Sequence, residues 1–238
     1  MAQLSGFTVW LTGMSGTGKT TLANYLAPRL RQVGRAVEVL DEGALADELW
    51  AGIGDSKEER HVVVRRLGFV AQLLSRNGAA VLVSAVSPYK AGRDDNRRLI
   101  GRYVEVYVDC PTDKLIERDA TGRYKKALSG EIPNFIGITE PYEPPSTPEV
   151  VIRSDVETIE DAGRKVLHAL LDLGYLNSDE MRTITGKRVR PSSTGKKPRP
   201  RAKSSKPAAK GARKARPVSR AARIAKASKK AAGKRKAR

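Results

Sequence analysis

Residues 13–20 have the types and the spacing that bind the phosphates of a nucleotide. They read Gly-Met-Ser-Gly-Thr-Gly-Lys-Thr, a loop in which two glycines enclose four residues and are followed by a lysine and a hydroxyl side chain. Glycine lets successive backbone N–H groups turn toward phosphate oxygens, and a helix that begins after the loop adds the positive end of its dipole. The pattern predicts an ATP-binding loop made of Gly13, Met14, Ser15, Gly16, Thr17, Gly18, Lys19 and Thr20.

Two side chains of this loop carry the predicted chemistry. We expect Lys19 to reach the β- and γ-phosphates and to offset their charge during phosphoryl transfer. We expect the Thr20 hydroxyl to hold Mg²⁺, the cofactor that accompanies ATP at such loops. By itself the loop indicates only a protein that binds a nucleoside triphosphate.

Alternating strands and helices must position this loop. Longer amphipathic stretches, among them residues 20–32 and 58–75, predict helices. Short β-branched runs predict five strands, over residues 7–12, 36–40, 80–85, 103–109 and 149–153. Strands that alternate with helices form a parallel sheet covered by helices on both faces. The sequence therefore predicts a three-layer α/β fold with the phosphate loop at the end of the first strand.

The positive charge of the chain lies at its C-terminus. The 238 residues hold 45 Lys and Arg against 26 Asp and Glu, a net charge of +19. Residues 187–238 contain 22 of the basic residues and no acidic one, so the rest of the chain has a net charge of −3. This segment has no aromatic residue and too few apolar ones to offset the entropy of ordering. We predict a structured domain over residues 1–178 and a linker with a disordered basic tail over residues 179–238.

Two interpretations of the tail stay open. Long blocks of like charge are often interaction tails, and this one has the composition for nonspecific contact with the phosphate backbone of DNA or RNA. Alternatively, it is a solvated run of charge that raises solubility.

Composition excludes several other classes. No stretch approaches the roughly 18 apolar residues of a membrane span, and the N-terminus lacks the pattern of a signal peptide, so we expect a cytoplasmic protein. Cys110 is the single cysteine and cannot form an internal disulfide. With only two histidines, the chain also lacks the ligand set of a structural zinc site.

Longer strings resemble the adenylylsulfate kinase family. They are GFTVWLTGMSGTGKTT at residues 6–21, RRLGFVAQLL at 65–74, SAVSPYKAGRDDNR at 84–97, ERDATGRYKKALSGEI at 117–132 and FIGITEPYEPPSTPEV at 135–150. The resemblance runs from about residue 6 to residue 173. It implies a P-loop kinase fold, a possible homodimer, and transfer of the ATP γ-phosphoryl group to the 3′-hydroxyl of adenosine 5′-phosphosulfate.

The chain departs from the family pattern where the acceptor nucleotide is expected. The family reads D-G-D-N-x-R after the second strand, whereas residues 41–46 read DEGALA. Gly43 therefore replaces the family's best candidate for a base, and Ala46 replaces an arginine. Asp55 stands where the family has a phenylalanine that stacks on adenine, and Val63 stands where it has an asparagine. Two alternatives follow: a P-loop kinase for a different nucleotide or small hydroxyl acceptor, and a weak nucleotide-binding protein that its tail tethers to nucleic acid.

The remaining site predictions follow from the resemblance. The predicted acceptor contacts are Arg60, Ser87, Pro88, Tyr89 and Phe135. Arg118 and Arg123, in a charged segment resembling a lid, are expected to close over the ATP phosphates.

Four residues are predicted to be catalytic: Lys19, Asp41, Glu42 and Ser87. Asp41 either holds metal-bound water or acts as the base, and Glu42, one position from the missing acid, is a candidate to replace it. Both acids are also well suited simply to cap the next helix. Ser87 stands where the family has a serine regarded as a phosphorylated intermediate, although direct transfer needs no covalent step and its hydroxyl could simply bond the acceptor.

Overall fold

A computed structural model describes residues 5–186, which form one parallel sheet with helices on both sides. The strands are β1 Phe7–Thr12, β2 Val37–Asp41, β3 Ala80–Ser84, β4 Tyr103–Asp109 and β5 Val150–Arg153. The helices are α1 Lys19–Gln32, α2 Ala46–Leu49, α3 Lys57–Arg76, α4 Lys90–Ile100, α5 Thr112–Arg118, α6 Arg123–Leu128, α7 Ile159–Asp172 and α8 Ser178–Thr185. The predicted fold class is confirmed, and each predicted strand is present with ends that differ by no more than one residue.

Strand order brings the ends of β1, β2 and β3 together. The order is β2-β3-β1-β4-β5, and every pairing is parallel. Ser84, the last residue of β3, lies opposite Leu11 of β1 and opposite Asp41 of β2. In an open parallel sheet, ligands bind beyond the carboxyl ends of the strands. The phosphate loop and the acids after β2 therefore meet at that edge.

The two sides of β1 explain the three layers. All six residues of this central strand are buried, as expected of a strand covered on both faces. Val9 and Leu11 belong to an apolar cluster with residues of α1 and α7, whereas Trp10 packs in a second cluster with residues of α3. Successive side chains of a strand point to opposite faces, so one strand supplies both halves of the core and holds the loop after it rigidly.

The structured domain extends past residue 178, where the sequence suggested a boundary. Helix α8 begins at a capping box, in which Asn177 accepts from the Glu180 N–H and the Glu180 carboxylate accepts from the Asn177 N–H. Glu180 also forms a buried ion pair with Arg35 at 2.7 Å, and Met181 is fully buried in the core. Helix α8 therefore packs on the domain, and the described part of the domain reaches residue 186, past the predicted boundary.

The predicted basic tail, residues 187–238, lies outside the described residues. Between residues 5 and 186, no helix combines the length and the apolar character that crossing a membrane would require.

Candidate active site

The phosphate loop joins β1 to α1 in the conformation that its glycines allow. Gly13 passes so close to β4 that a side-chain Cβ would lie 2.3 Å from the Val108 carbonyl oxygen. Gly18, immediately before α1, has φ 94°, which favours glycine. Substitution of either residue would therefore distort the loop. The sequence pattern and the backbone agree at these positions.

Lys19 holds its ammonium group inside this loop. Its Nζ donates to the carbonyl oxygens of Gly13, at 2.9 Å, and Met14, at 2.8 Å. Burial lowers the pKa of Lys19 to about 8, although the carboxylates of Glu42 and Asp41 oppose the shift. Burial makes the charge of a cation energetically costly. A phosphate that binds beside it therefore stabilises a buried cation more than a solvated one. Lys19 is thus positioned and prepared for anion binding.

A cluster of oxygen atoms lies beside the loop, at the ends of β2 and β3. The Thr20 hydroxyl donates to Asp41 Oδ2 at 2.5 Å and lies 3.1 Å from the Ser84 hydroxyl. Burial raises the pKa of Asp41, but the hydrogen bonds that it accepts, above all from Thr20, outweigh burial and leave that pKa below its ordinary value. Asp41 is therefore ionised near neutral pH. Sequence reasoning missed Ser84, although its place at the end of a central strand is a usable signal.

Glu42 turns toward the same space from the next position in the chain. Its Oε2 accepts a hydrogen bond of 2.7 Å from the Val86 N–H. Burial raises its pKa above the ordinary value of a glutamate, although Lys19 and Arg60 oppose the shift. The two neighbouring acids thus differ: Asp41 is held as an anion by several donors, whereas Glu42 binds a proton more readily.

One cavity of about 430 Å³ connects these groups with the residues predicted for the acceptor. Its walls include, from the phosphate side, Ser15, Gly16, Lys19, Thr20, Asp41 and Glu42, and, from the far side, Ala46, Trp50, Ile53, Asp55, Arg60, Val63, Arg123 and Phe135. The structure therefore brings together eight of the predicted site residues: Ser15, Gly16, Lys19, Thr20, Asp41, Glu42, Arg60 and Phe135.

Arg60 lines the cavity but is already engaged by Asp55. Its Nη2 lies 2.8 Å from Asp55 Oδ1 and donates to the Asn134 carbonyl oxygen at 2.9 Å, while its Nε donates to the Asp55 carbonyl oxygen at 3.0 Å. The capping box of α3 fixes this geometry, because Ser56 and Glu59 exchange hydrogen bonds at the helix start. A carboxylate that is ion-paired with Arg60 thus occupies the wall where the family pattern has an aromatic ring.

Phe135 connects the far wall to the phosphate loop. Its ring meets Tyr124 edge-on, with centroids 4.9 Å apart, and the Arg123 guanidinium carbon lies 5.6 Å from its centroid. The Tyr124 hydroxyl donates to the Ser15 carbonyl oxygen at 2.7 Å. Arg123 at the start of α6, rather than Arg118, supplies the cavity with a cation from the predicted lid segment.

Four predicted contacts from outside the phosphate loop, Ser87, Pro88, Tyr89 and Arg118, do not line the cavity. The Ser87 hydroxyl accepts from Trp10 Nε1 at 3.1 Å, and the side chain is fully buried, because φ 45° turns it toward the core. Pro88 and Tyr89 are also buried, and the Lys57 ammonium lies 5.0 Å from the centroid of the Tyr89 ring. Arg118 donates to the Ser154 carbonyl oxygen at 3.1 Å. Each of these four residues thus has a contact within the fold, and their predicted roles toward substrate stay predictions.

The chain closely resembles proteins of one family. The sequence model of the family described as Adenylylsulphate kinase matches residues 5–153. The adenylyl-sulfate kinase of Rippkaea orientalis is 52% identical over 171 residues, which cover 72% of this chain and 94% of that protein. The structure of the Mycobacterium tuberculosis APS kinase CysC in complex with AMPPNP and APS aligns with a TM-score of 0.67 and 36% identity, over 70% of this chain and 98% of that one. The chain belongs to the adenylylsulfate kinase family.

A larger assembly also contains a similar chain. The hexameric APS kinase from Thiobacillus denitrificans aligns with a TM-score of 0.56 and 34% identity, over 74% of this chain and 30% of that one.

As a member of the adenylylsulfate kinase family, the present chain is an ATP-dependent phosphotransferase.

The strings that first indicated the adenylylsulfate kinase family hold two loops together. Arg93, 2% exposed, donates to the carbonyl oxygens of Ser87 and Glu143, both at 2.6 Å, and pairs with Glu105 at 2.9 Å. The Tyr142 hydroxyl lies 2.9 Å from Thr12 Oγ1. Sequence reasoning did not assign a role to Arg93. Its contacts show that the segments around residues 87 and 142 are held together by buried hydrogen bonds.

Proposed function

We propose that this kinase transfers the γ-phosphoryl group of ATP to the 3′-hydroxyl of adenosine 5′-phosphosulfate. The observation that carries the proposal is the single cavity, in which a phosphate loop with a buried lysine faces a second wall that holds Arg60 and Phe135. Asp41 and Glu42 line the same cavity, so the reacting groups of two substrates bound to these walls would meet near the two acids. Membership of the family supports this acceptor over others.

Transfer of a phosphoryl group asks the protein mainly for positioning and charge stabilisation. Lys19 and the N-terminus of α1 face the phosphates and stabilise the negative charge that spreads over the transferred group. Donors that are fixed in advance in a partly desolvated site act strongly, because they need no reorganisation during the reaction.

The acceptor hydroxyl must also lose its proton, and we assign that proton to Glu42. Asp41 is committed to Thr20 and to the backbone N–H groups of Gly43 and Ala44. Glu42 has one backbone donor and a raised pKa, and a general base works best when its pKa lies nearer the working pH. Glu42 thereby takes the role that Gly43 cannot fill.

The oxygen cluster at the end of β2 suits Mg²⁺. Thr20, Asp41 and Ser84 offer hard oxygen atoms within hydrogen-bond distance of one another. Mg²⁺ keeps several waters and often binds through one or two carboxylates plus substrate phosphates, so one aspartate is enough. When bound, the ion would offset the negative charge of the phosphates during transfer. Thr20 and Asp41 would hold it.

An assay of ADP release tests the proposal. Full-length protein with ATP should release ADP in proportion to added adenosine 5′-phosphosulfate, and the 3′-phosphorylated product should appear in equal amount. Absence of acceptor-dependent ADP at millimolar concentration would refute the assignment.

The Asp55–Arg60 pair favours one second candidate, a kinase for another nucleotide or small hydroxyl acceptor. A carboxylate already bonded to Arg60 weakens the attraction of this wall for a multiply charged anion. The same assay with a panel of uncharged and singly charged hydroxyl compounds distinguishes the two. ADP release that exceeds the rate with adenosine 5′-phosphosulfate would favour the second candidate.

We also propose that residues 187–238 contact DNA or RNA without sequence preference. The support is their 22 basic and no acidic residues. Such binding releases counterions, so its affinity should fall steeply between about 50 and 200 mM salt. Fluorescence anisotropy of a labelled duplex should show binding by the full chain and none by a chain ending at residue 186. Equal binding by both chains would refute the proposal. Duplex binding that requires the tail, together with ATP binding and no acceptor turnover, would instead indicate a weak nucleotide-binding protein tethered to nucleic acid.

Two further predictions concern the whole protein. A homodimer should appear in sedimentation velocity as twice the mass of the 25.9 kDa chain. A cytoplasmic location is tested by fractionation of the cells that make it.

A further inference from the structure

The far wall of the cavity contains a second aromatic ring. Trp50, the residue that follows α2, lines the cavity with Phe135 and is 8% exposed. Phe135 and Trp50 are the two aromatic residues on these walls. A planar base bound here would therefore meet aromatic surface from two separate segments of the chain.

Backbone contacts hold the Trp50 segment in place. The Trp50 N–H donates to the Ala46 carbonyl oxygen at 3.2 Å, and Arg66 of α3 donates to the Leu49 carbonyl oxygen at 2.7 Å. Trp50 also belongs to the buried cluster that includes Trp10 and Val63. A ring supported in this way loses little freedom when a ligand stacks on it.

The residues around Trp50 suit an apolar contact. Ala46, Ile53 and Val63 line the same part of the cavity. Ala46 and Val63 stand where the family pattern has an arginine and an asparagine, so this part of the wall lacks two polar side chains of that pattern. The aromatic position of that pattern is Asp55, whose carboxylate pairs with Arg60 and offers no stacking surface.

We propose that Trp50 is the aromatic residue that contacts the purine of the acceptor nucleotide and replaces the ring missing at residue 55. The inference rests on the proposed function, since it concerns how the acceptor is held. Stacking tolerates such a relocation, because every base has a π-face and needs only a flat aromatic partner.

Intrinsic fluorescence of the full chain gives a test that needs no turnover. The sequence has two tryptophans, and Trp10 is fully buried, bonded to Ser87, and absent from the cavity walls. Adenosine 5′-phosphosulfate without ATP should quench wild-type emission saturably, and Trp50→Phe should abolish that quenching. Quenching that persists in Trp50→Phe, or none in the wild type at saturating acceptor, would overturn the proposal.

Kinetics separate a binding role from a structural one. Trp50→Leu should raise the KM for adenosine 5′-phosphosulfate about tenfold, as expected for one lost base–aromatic stack, and leave the KM for ATP within about twofold. Trp50→Phe, which keeps a ring, should restore most of the loss. The matched control Ile53→Ala removes apolar surface from the same wall without removing a ring and should have a smaller effect.

The outcomes distinguish the two proposals. Equal changes in both KM values, or no rescue by phenylalanine, would show a structural role and refute the assignment of Trp50. If the wild-type enzyme gives no ADP with adenosine 5′-phosphosulfate, the proposed function fails. A titration with AMP then tests the assignment of Trp50. Quenching by AMP that is lost in Trp50→Phe would support a purine contact at Trp50. No quenching of the wild type by AMP would refute it.

Discussion

The two walls of the active-site cavity are built in different ways. On the phosphate side, Lys19 bonds to carbonyl oxygens only five and six residues earlier, within one loop. On the far side, Arg60 bonds to Asn134, 74 residues away. Local geometry constrains the first wall, so few residue types are tolerated there. The far wall needs only charged and aromatic groups facing the cavity, so different positions in the sequence can supply them.

The largest expected effect is on the phosphate side. Lys19→Met should lower kcat/KM about 10²–10³-fold or more, because no other group replaces a buried cation at the transferred phosphate. The measurement is initial rate against ATP concentration. Lys126→Met, which removes an exposed lysine of α6, is the matched control and should stay within about twofold. A Lys19 variant with near-normal turnover would show that this wall is less constrained than we argue.

Replacing Glu42 tests the junction of the two walls. Glu42→Gln should lower kcat about 10²–10⁴-fold, the usual contribution of a general base. Because the pKa of Glu42 is raised, the wild-type rate should fall as pH decreases through that raised value, where the carboxylate takes up a proton. Asp41, whose pKa is lowered, would produce a fall only at more acidic pH. The measurement is the pH profile of kcat.

Glu48→Gln, on the exposed side of α2, is the control for this change and should leave the profile unaltered. If Glu42→Gln keeps the wild-type acidic limb and rate, the proton goes elsewhere and Glu42 serves only to bond the Val86 N–H.

ATP affinity should depend on pH through Lys19. The pKa of about 8 means that the ammonium is present below pH 8 and lost as pH rises through that value. The dissociation constant measured by calorimetry should therefore increase above pH 8, by up to about tenfold per pH unit. Lys19→Met should bind weakly with little pH dependence between 7 and 9.5. A flat wild-type profile would mean that ATP binding does not require the Lys19 charge.

The smallest effect is expected on the far wall. Asp55→Asn should lower the KM for adenosine 5′-phosphosulfate about two- to fivefold, because it frees Arg60 for the anionic acceptor. The effect is modest because the Asp55 side chain is 67% exposed, and exposed ion pairs contribute little. Asp47→Asn, an exposed change on α2, is the control. A higher KM would instead show that Asp55 orients Arg60 productively.

Elements with a strong local pattern were predictable. Residues 7–12 form a strand of β-branched and large apolar residues that is buried on both faces, and residues 13–20 adopt the predicted loop because glycine allows its left-handed turns. Helix α8 was missed although Asn177 and Glu180 have the spacing of a capping box. The predicted boundary at residue 178 therefore excluded a helix that packs on the domain.

The predictions around residue 87 show what a family resemblance leaves open. A residue string typical of a family indicates that a segment is important. It does not show whether the segment contacts the substrate or supports the wall of the cavity. Ser87 and Tyr89 are buried, and Arg93 ties their loop to the segment around Glu143. Only the side-chain directions, set by packing against Trp10 and Lys57, separate these two roles.

The sequence by itself determined the strands and the phosphate loop, because both depend on contiguous residues whose backbone geometry is local, and its resemblance to a family implied the class of reaction. Tertiary structure alone decided the far wall. Trp50, Arg60 and Phe135 come from three separate segments, and their burial and partners arise only when α2, α3 and the segment after α6 pack around one cavity. Free energies of burial and pairing depend on neighbours distant in the chain, which no local pattern of residues records.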